Sequence, residues 1–306
     1  MNSLLPLDLQ VNGYGGVDFC STGTTPEQFS EACAALKEDG FGGVLATIIT
    51  DHAPEMAAKL SQITAAREAD PAVAEMIVGI HIEGPFLSPA DGYRGAHPLP
   101  AVKEANLDDM QQLLDAGGGL TKLVTLAPEQ DRKGEVTRFL VDQGITVSAG
   151  HCNPSMDQLK AGIDAGLSMF THLGNACPIL MHRHDNVIQR ALSLSDDLWI
   201  CVIVDGVHVE FPALKNYIRA AGIDRTIAVT DAISAARLGP GRYTLAGWDL
   251  VIGDDLVARA PDGSHFVGST VTMPRLLANL RDELGLNEDE IEALTVRNPR
   301  VAIGLG

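Results

Sequence analysis

The sequence of 306 residues lacks the features that would place it in a membrane or in a disulfide framework. No uninterrupted apolar run approaches the roughly 20 residues that a helix needs to cross a bilayer, so we expect no membrane span. The five cysteines are odd in number and scattered, without a CxxC pair, which argues against a set of disulfides or a cysteine-rich zinc knuckle. We therefore expect a globular protein with reduced thiols.

Positive charge is also scarce. Only 22 lysines and arginines stand against 40 aspartates and glutamates, which gives a formal net charge of −18. Nucleic-acid binding normally requires a basic surface, so nucleic acid is not an expected partner. The same charge would repel an anionic substrate at long range, so any phosphate must be held by a metal ion or by local arginines.

We expect neither a secretory leader nor a linker between domains. Residues 1–9 have no basic region and reach Asp8 too early to contain a secretory apolar segment, which predicts a cytoplasmic protein. No low-complexity stretch divides the sequence, and closed α/β barrels of about this length are routinely one domain. We expect residues 1–306 to form a single catalytic domain.

What the sequence does contain is a repeated alternation of short β-branched runs with helical stretches, which is typical of βα units and a parallel sheet. Eight runs are predicted strands, and eight is the number that closes a (β/α)8 barrel, or TIM barrel. The predicted strands are residues 5–11, 43–49, 76–82, 121–126, 146–149, 168–171, 199–204 and 226–229.

Local signals mark the connecting elements. Thr25 with Gln28 three residues later forms a capping-box pattern, and Pro26 stands at the first helical position. Similar helix starts are predicted at Pro54, Pro154 and Pro212. After the eighth strand, residues 243–266 alternate turn residues with short apolar runs, which predicts a β-hairpin insertion, and residues 273–284 predict a final helix.

Polar residues interrupt the apolar pattern at the ends of the predicted strands. In this barrel the carboxyl ends of the strands build the active site, so these side chains are expected to converge on one mouth. They are Gln10, Asn12, His81, Glu83, His151, His172, Asp205, His208 and Asp231.

Among them, Glu83, His151 and His172 have the residue types of a metal site. A single histidine is more often an ordinary core or surface residue, but here one carboxylate and two imidazoles share a barrel end. Such a set is familiar from catalytic zinc sites, in which a coordination position stays open for water. Asp231 is expected to face that open position.

Eight segments, in order along nearly the whole chain, resemble the N-acetylglucosamine-6-phosphate deacetylases of the amidohydrolase superfamily. Each is short, and their specificity lies in the shared order. They are 8–13 (DLQVNG), 79–87 (GIHIEGPFL), 94–98 (RGAHP), 147–151 (VSAGH), 171–176 (THLGNA), 205–208 (DGVH), 230–232 (TDA) and 268–270 (GST).

The resemblance implies a metal-dependent TIM-barrel hydrolase that removes the acetyl group of an amino sugar, most of all N-acetylglucosamine 6-phosphate. It implies that Glu83, His151 and His172 hold one divalent ion, zinc first and iron(II) second, and that Asp231 is the catalytic proton shuttle. Arg183 matches an arginine that holds the sugar phosphate across a dimer interface, so a homodimer is expected. The other implied substrate contacts are Ala96, His97, Asn175, Ala176, Asp205, His208, Phe266 and Gly268.

The sequence departs from the family in three places. Gln10 and Asn12 replace the His-x-His of two-metal relatives, so one ion is expected. The stretch 177–186 lacks the family's Arg-Glu-Pro-Gly run, which bears on how the phosphate is held. The family also adds terminal segments that form a small β-sandwich, and we expect that side domain to be missing or very reduced.

Several assignments stay open at this point. Gln10 and Asn12 are equally explained as polar strand residues or as contacts of the site, and His81 either orients Glu83 or only packs. Cys152 is assigned to packing, because adjacent strand residues point to opposite sides. As functions, a hydrolase of another amide or cyclic imide, a metal-dependent sugar-phosphate isomerase or epimerase, and a non-catalytic sugar sensor remain alternatives.

Overall fold

Eight parallel strands form the centre of the protein, whose computed structural model describes residues 4–306. Each strand pairs with the next along the chain, which confirms the predicted (β/α)8 barrel. The strands are β1 (Leu7–Val11), β2 (Gly43–Ile49), β3 (Ile77–Glu83), β4 (Thr121–Leu126), β5 (Thr146–Ala149), β6 (Met169–Phe170), β7 (Trp199–Ile203) and β8 (Thr226–Val229).

The barrel closes through its first and last strands. Val11 forms a parallel bridge with Ala232, just beyond β8, and the Asn12 amide donates to the Ala232 carbonyl at 2.7 Å. The Asp8 carboxylate supports the same seam, because it accepts the Gln10 amide at 3.0 Å and the Thr230 amide at 2.9 Å. Burial raises the pKa of Asp8 to about 6.

Helices cover the outside of the barrel. They are α1 (Pro26–Glu38), α2 (Ala53–Ala69), α3 (Pro71–Met76), α4 (Leu107–Ala116), α5 (Glu135–Asp142), α6 (Met156–Asp164), α7 (Val187–Leu192), α8 (Phe211–Ala221), α9 (Met273–Ala278), α10 (Glu288–Glu292) and α11 (Asn298–Ala302). Among the described residues, none of these helices is long and apolar enough to span a bilayer.

The predicted helix starts are confirmed with one exception. Thr25 and Gln28 form the capping box of α1, while Pro54 and Pro212 lie in the first turns of α2 and α8. The prediction at Pro154 is wrong, because α6 begins at Met156 behind Ser155. The Ser155 hydroxyl accepts the Gln158 amide at 3.2 Å, and proline has no side-chain acceptor with which to cap a helix.

The insertion after β8 is a small antiparallel sheet, as predicted. It consists of β9 (Gly241–Leu245), β10 (Trp248–Ile252) and β11 (Ala258–Arg259). The final predicted helix starts at Met273 as α9 and continues as a π-helical turn over Asn279–Glu283. A separate two-stranded hairpin, Gly13–Tyr14 with Val17–Asp18, follows β1.

The barrel interior changes character along its axis. One end is filled by an apolar cluster that includes Leu7, Leu45, Leu123, Met169 and Ile227, so it is a packed core rather than a pore. The carboxyl ends of the strands carry the polar side chains instead. The fold therefore leaves one end of the barrel for chemistry.

Candidate active site

The four residues that sequence patterns predict for metal binding and proton transfer lie together at the carboxyl ends of the strands. Glu83 is the last residue of β3, and His151, His172 and Asp231 each lie two residues beyond β5, β6 and β8. Their exposed fractions are 2%, 7%, 2% and 7%. A buried group of two carboxyls and two imidazoles needs internal partners or a bound ion.

Three of these residues have a left-handed backbone. The φ angles are 47° at His151, 32° at His172 and 52° at Asp231. Non-glycine residues rarely adopt this region, each such residue costs about 1–3 kcal/mol, and such residues cluster at functional sites. The surrounding structure therefore holds these three side chains in place against a local preference of the chain.

The Glu83 carboxylate is the hub of the cluster. Its Oε1 atom lies 3.2 Å from Nε2 of His151 and 3.0 Å from Nε2 of His172. The side-chain amide of Gln10 donates to both carboxylate oxygens at 3.2 Å. His97 joins the group, because its Nε2 lies 3.1 Å from Nε2 of His151. Three imidazoles thus surround one carboxylate.

The protonation states suit a cation. Burial alone would raise the pKa of Glu83, but its bonds to His151 and His172 outweigh burial and bring the pKa well below the ordinary value. Burial lowers the pKa of His172, and burial followed by the nearby His151 lowers that of His97 well below its usual range. A carboxylate together with imidazoles is a donor set for a divalent ion.

Three ligand atoms lie close enough together to hold one ion. One atom each from Glu83, His97 and His151 lies within 4.8 Å of the other two, so His97, which was not among the predicted ligands, is a candidate donor. The predicted ligand His172 is not part of this trio, but its Nε2 lies 3.0 Å from the same Glu83 oxygen that His151 contacts. The His151 ring is fixed by its other nitrogen, which lies 3.2 Å from the Tyr93 carbonyl oxygen.

Asp231 has the opposite electrostatic setting to Glu83. Burial, followed by the charge of Glu83, raises its pKa well above the ordinary value, although a hydrogen bond from Asn12 lowers it in part. The Asn12 side-chain amide donates to Oδ1 of Asp231 at 2.7 Å. Two buried carboxyls with opposite pKa shifts are the arrangement from which acid–base roles are inferred.

These residues line a cavity of about 90 Å³, the inner chamber, which includes Asn12, Glu83, His151, His172 and Asp231. A larger space of about 1110 Å³, the outer chamber, continues from it toward solvent. Loop residues and the small antiparallel sheet form the passage between the two. The residues that line both chambers are Gly95, Ala96, His97, Asn175, Ala176, His208, Trp248, Phe266 and Val267.

The structure gathers most of the substrate contacts implied by the sequence. Seven line the inner chamber: Ala96, His97, Asn175, Ala176, His208, Phe266 and Gly268. Asp205 lines neither chamber, but its Oδ2 lies 2.6 Å from Nδ1 of His208 and so orients that ring. Arg183 is exposed and lies outside both chambers of its own chain.

Two residues that line the chambers were not predicted as substrate contacts. Arg94, the first residue of the segment 94–98, lines the outer chamber. Its NH1 donates to the His97 carbonyl at 2.5 Å. Trp248, on β10, lines both chambers, and only its position in a turn-rich insertion could have drawn attention to it.

The structure gives side-chain contacts for the polar residues of β1 and β3 whose roles were left open by the sequence. Gln10 and Asn12 contact the two carboxyls of the site rather than acting as plain strand residues. His81 contacts threonines, with Nδ1 3.3 Å from Thr47 Oγ1 and Nε2 2.7 Å from Thr125 Oγ1. Cys152 is buried in the apolar core, as predicted.

Known proteins resemble the chain over almost its whole length, although no protein-family model matches it. An N-acetylglucosamine-6-phosphate deacetylase of Bacillus subtilis is 32% identical to this chain in an alignment that covers 99% of this chain and 76% of the relative. An N-acetylgalactosamine-6-phosphate deacetylase of Escherichia coli O157:H7 is 27% identical over 98% of this chain and 77% of its own.

A solved structure agrees with these relatives. A mutant N-acetyl-D-glucosamine-6-phosphate deacetylase from Mycobacterium smegmatis, in complex with N-acetyl-D-glucosamine 6-phosphate, superposes with a TM-score of 0.87 and 30% identity. The match covers 98% of this chain and 78% of the mycobacterial one.

Proposed function

The chain belongs to the N-acetylglucosamine-6-phosphate deacetylase family, and we propose that it hydrolyses the N-acetyl group of N-acetylglucosamine 6-phosphate to give acetate and glucosamine 6-phosphate. One observation carries the proposal. Asp231, whose pKa is raised, shares a small buried chamber with Glu83, whose pKa is lowered by its bonds to two imidazoles. Amide hydrolysis needs a base for water and an acid for the leaving amine, and this pair supplies that asymmetry.

We assign the metal to Glu83, His151 and His172, with His97 close enough to contribute. Zinc suits one carboxylate with imidazoles, and iron(II) suits the same set. When bound, such an ion polarises an amide carbonyl and lowers the pKa of water. Because Gln10 binds Glu83 through an amide in place of an imidazole, the donor set supports one ion.

Asp231 carries the proton in this mechanism. In its ionised form it accepts a proton from the attacking water, and its high proton affinity in the buried chamber favours that transfer. The same carboxyl then gives the proton to the departing nitrogen, since an amine leaves poorly unless it is protonated. Asn12 holds Oδ1 of Asp231, which leaves the other oxygen for this exchange.

We assign to His208 the stabilisation of the charge that develops on the carbonyl oxygen. His208 lines both the inner and the outer chamber, where the acetyl group and the sugar ring must meet. Asp205 fixes the His208 ring, and its own pKa is lowered, because the bond and charge of His208 outweigh its burial. The ring nitrogen of His208 that does not contact Asp205 is then available to the substrate.

The outer chamber is proposed to hold the sugar and its 6-phosphate. Arg94 is the one arginine or lysine among the described residues that line the two chambers, so it supplies the positive charge within a single chain. Arg183, implied by family resemblance, would reach a phosphate only in a neighbouring copy. Ile179 and Leu180 beside it are fully exposed, which supports a homodimer that covers them.

We further propose that residues 1–306 act as one catalytic domain in the cytoplasm. The small antiparallel sheet contributes Trp248 to the same chambers as the barrel ends, so the two parts build one site. All five cysteines are free thiols, in keeping with a reducing compartment.

The proposal is tested by acetate release on a panel of N-acetylated glucosamine and galactosamine, each with and without the 6-phosphate, using metal-analysed protein. We expect the highest kcat/KM on N-acetylglucosamine 6-phosphate. Because one relative acts, by its name, on the galactosamine epimer, both epimers belong in the panel. The proposal would be overturned if metal-loaded protein released acetate from none of these compounds.

A further inference from the structure

A continuous chain of buried side chains crosses the barrel interior just below the metal-binding cluster. We call it the interior hydrogen-bond chain, and it consists of Thr47, His81, Thr125, Thr171 and Ser148. His81 Nδ1 lies 3.3 Å from Thr47 Oγ1 and His81 Nε2 lies 2.7 Å from Thr125 Oγ1. Thr125 Oγ1 lies 2.7 Å from Thr171 Oγ1, which lies 2.6 Å from Ser148 Oγ.

Thr47, His81, Thr125 and Ser148 lie on the neighbouring strands β2, β3, β4 and β5, and Thr171 directly follows β6. The hydrogen bonds run from β2 through β3 and β4 to Thr171 and return to Ser148 on β5. The members are between 0% and 2% exposed. A polar network this deep is favourable only when every group is satisfied. Its members are polar although the layer farther from the mouth is filled with aliphatic residues.

The protons of the chain can be assigned without leaving a gap. With hydrogen on Nδ1 of His81, the bonds run from Ser148 through Thr171, Thr125, His81 and Thr47 to the Leu45 carbonyl, 3.4 Å from the last hydroxyl. With hydrogen on Nε2 they run in the opposite direction and end at the Ala149 carbonyl, 3.4 Å from Ser148 Oγ. In both directions each hydroxyl donates once, so the network is complete.

The chain is attached to all three proposed metal ligands through the backbone. His81 precedes Glu83 by two residues on β3, so the two side chains share a face of the strand. Thr171 directly precedes His172 in the sequence, so the two share a peptide bond. A Cβ on Gly150, the residue before His151, would lie 2.5 Å from Thr125 Cγ2 and 3.0 Å from Thr171 Cβ, so these threonines pack against that backbone.

This attachment matters because His151 and His172 hold left-handed backbone conformations that the surrounding structure has to impose. Outer partners that orient metal ligands commonly change metal affinity 10–100-fold when they are removed. We propose that the interior hydrogen-bond chain positions Glu83, His151 and His172 for the ion, with Thr171 as its central positioning residue. This inference rests on the metal assignment of the proposed function.

The test measures cobalt(II) binding to metal-free protein by competition with a chelator, together with the visible absorption spectrum of the cobalt form. Thr171→Val keeps the shape and removes the hydroxyl, whereas Thr171→Ser keeps the hydroxyl. We expect Thr171→Val to raise the Kd for cobalt on the order of 10–100-fold and to change the spectrum, and Thr171→Ser to stay near the original protein. The spectrum reports ligand geometry, which a merely structural role would leave unchanged.

Thr295→Val is the matched control. Thr295 is 2% exposed, and its hydroxyl donates to the Ile291 carbonyl at 2.7 Å, away from the chambers. Its loss should leave cobalt affinity and spectrum unchanged. Should Thr171→Val fail to fold, Ser148→Ala removes the terminal hydroxyl of the chain and is expected to weaken cobalt binding in the same direction.

The outcomes separate the inference from the function on which it rests. Unchanged affinity in folded Thr171→Val or Ser148→Ala overturns the positioning role while the metal assignment stands. Equal weakening in Thr171→Val and Thr171→Ser also overturns it, because the serine variant keeps the hydroxyl and hydrogen bonding would then not account for the loss. Failure of the original protein to bind cobalt overturns the metal assignment itself, and the inference with it.

Discussion

The inner and outer chambers differ in the structural elements that form their walls. The ends of the barrel strands supply the ionisable groups of the inner chamber of about 90 Å³, where Glu83, His151, His172 and Asp231 are buried. Loops and the small sheet form much of the outer chamber of about 1110 Å³, where Phe266 is 41% exposed. We therefore expect the barrel ends to carry the chemistry and the less constrained outer walls to select the substrate.

The largest effect is expected from removing a ligand in the inner chamber. His172→Ala deletes one of three proposed donors, so both bound metal and acetate release should fall to background. Metal content and turnover are measured on the same preparation, with His184→Ala, an exposed histidine outside both chambers, as the control. Full metal occupancy in His172→Ala would remove His172 from the ligand set.

Asp231→Asn should be the next most damaging change. Asparagine keeps the size and loses the exchangeable proton, so turnover should fall on the order of 100-fold or more while the metal stays bound. Single-turnover acetate release, metal content and melting temperature together check this. Near-normal turnover in a folded, metal-loaded variant would show that another group carries the proton, whereas lost metal or a collapsed melting temperature would show a structural role.

In the outer chamber the effects should depend on the substrate. Arg94→Met is expected to lower kcat/KM on the order of 10-fold for the 6-phosphate and to leave the unphosphorylated sugar unaffected, because a charged hydrogen bond to phosphate is lost. Arg183→Met is the matched comparison. A loss confined to Arg183→Met would place the phosphate contact on a second copy of the chain, and a loss confined to Arg94→Met would place it within one chain.

The smallest effect is expected at Trp248. Trp248→Leu removes an aromatic wall shared by both chambers but no charge and no ligand, so KM should rise a few-fold with kcat nearly constant. Steady-state kinetics on the preferred sugar measure the split. A large fall in kcat instead would mean that the outer wall takes part in forming the inner chamber, and the contrast between the chambers would weaken.

The same contrast explains what could be predicted from the sequence. The strands 43–49, 121–126, 146–149 and 226–229 have the predicted bounds, because apolar β-branched runs bounded by polar residues are a local signal. The sixth strand is shorter than predicted, since only Met169 and Phe170 enter the ladder before the chain turns at His172. The mouth of the barrel followed from the strand ends.

The outer wall could not be predicted in that way. Trp248 reaches the chambers only through the folding of β9 to β11 over the barrel, a long-range arrangement that no periodicity reveals. Gln10 and Asn12 stood at visible strand ends, yet their partners, Glu83 and Asp231, are 73 and 219 residues away in sequence. Side-chain partners at such separation depend on the closed barrel and not on local pattern.

The buried carboxyl of Asp231 has a consequence for thermal stability. Asparagine tolerates the left-handed backbone as aspartate does but carries no charge to bury, so the inactive Asp231→Asn form should melt above the active one in the absence of metal. With a net stability of about 5–15 kcal/mol for a typical protein, one such position is a sizeable fraction. Thermal stability and catalytic turnover therefore make opposite demands on this one residue, and selection for thermal stability alone would favour an inactive enzyme.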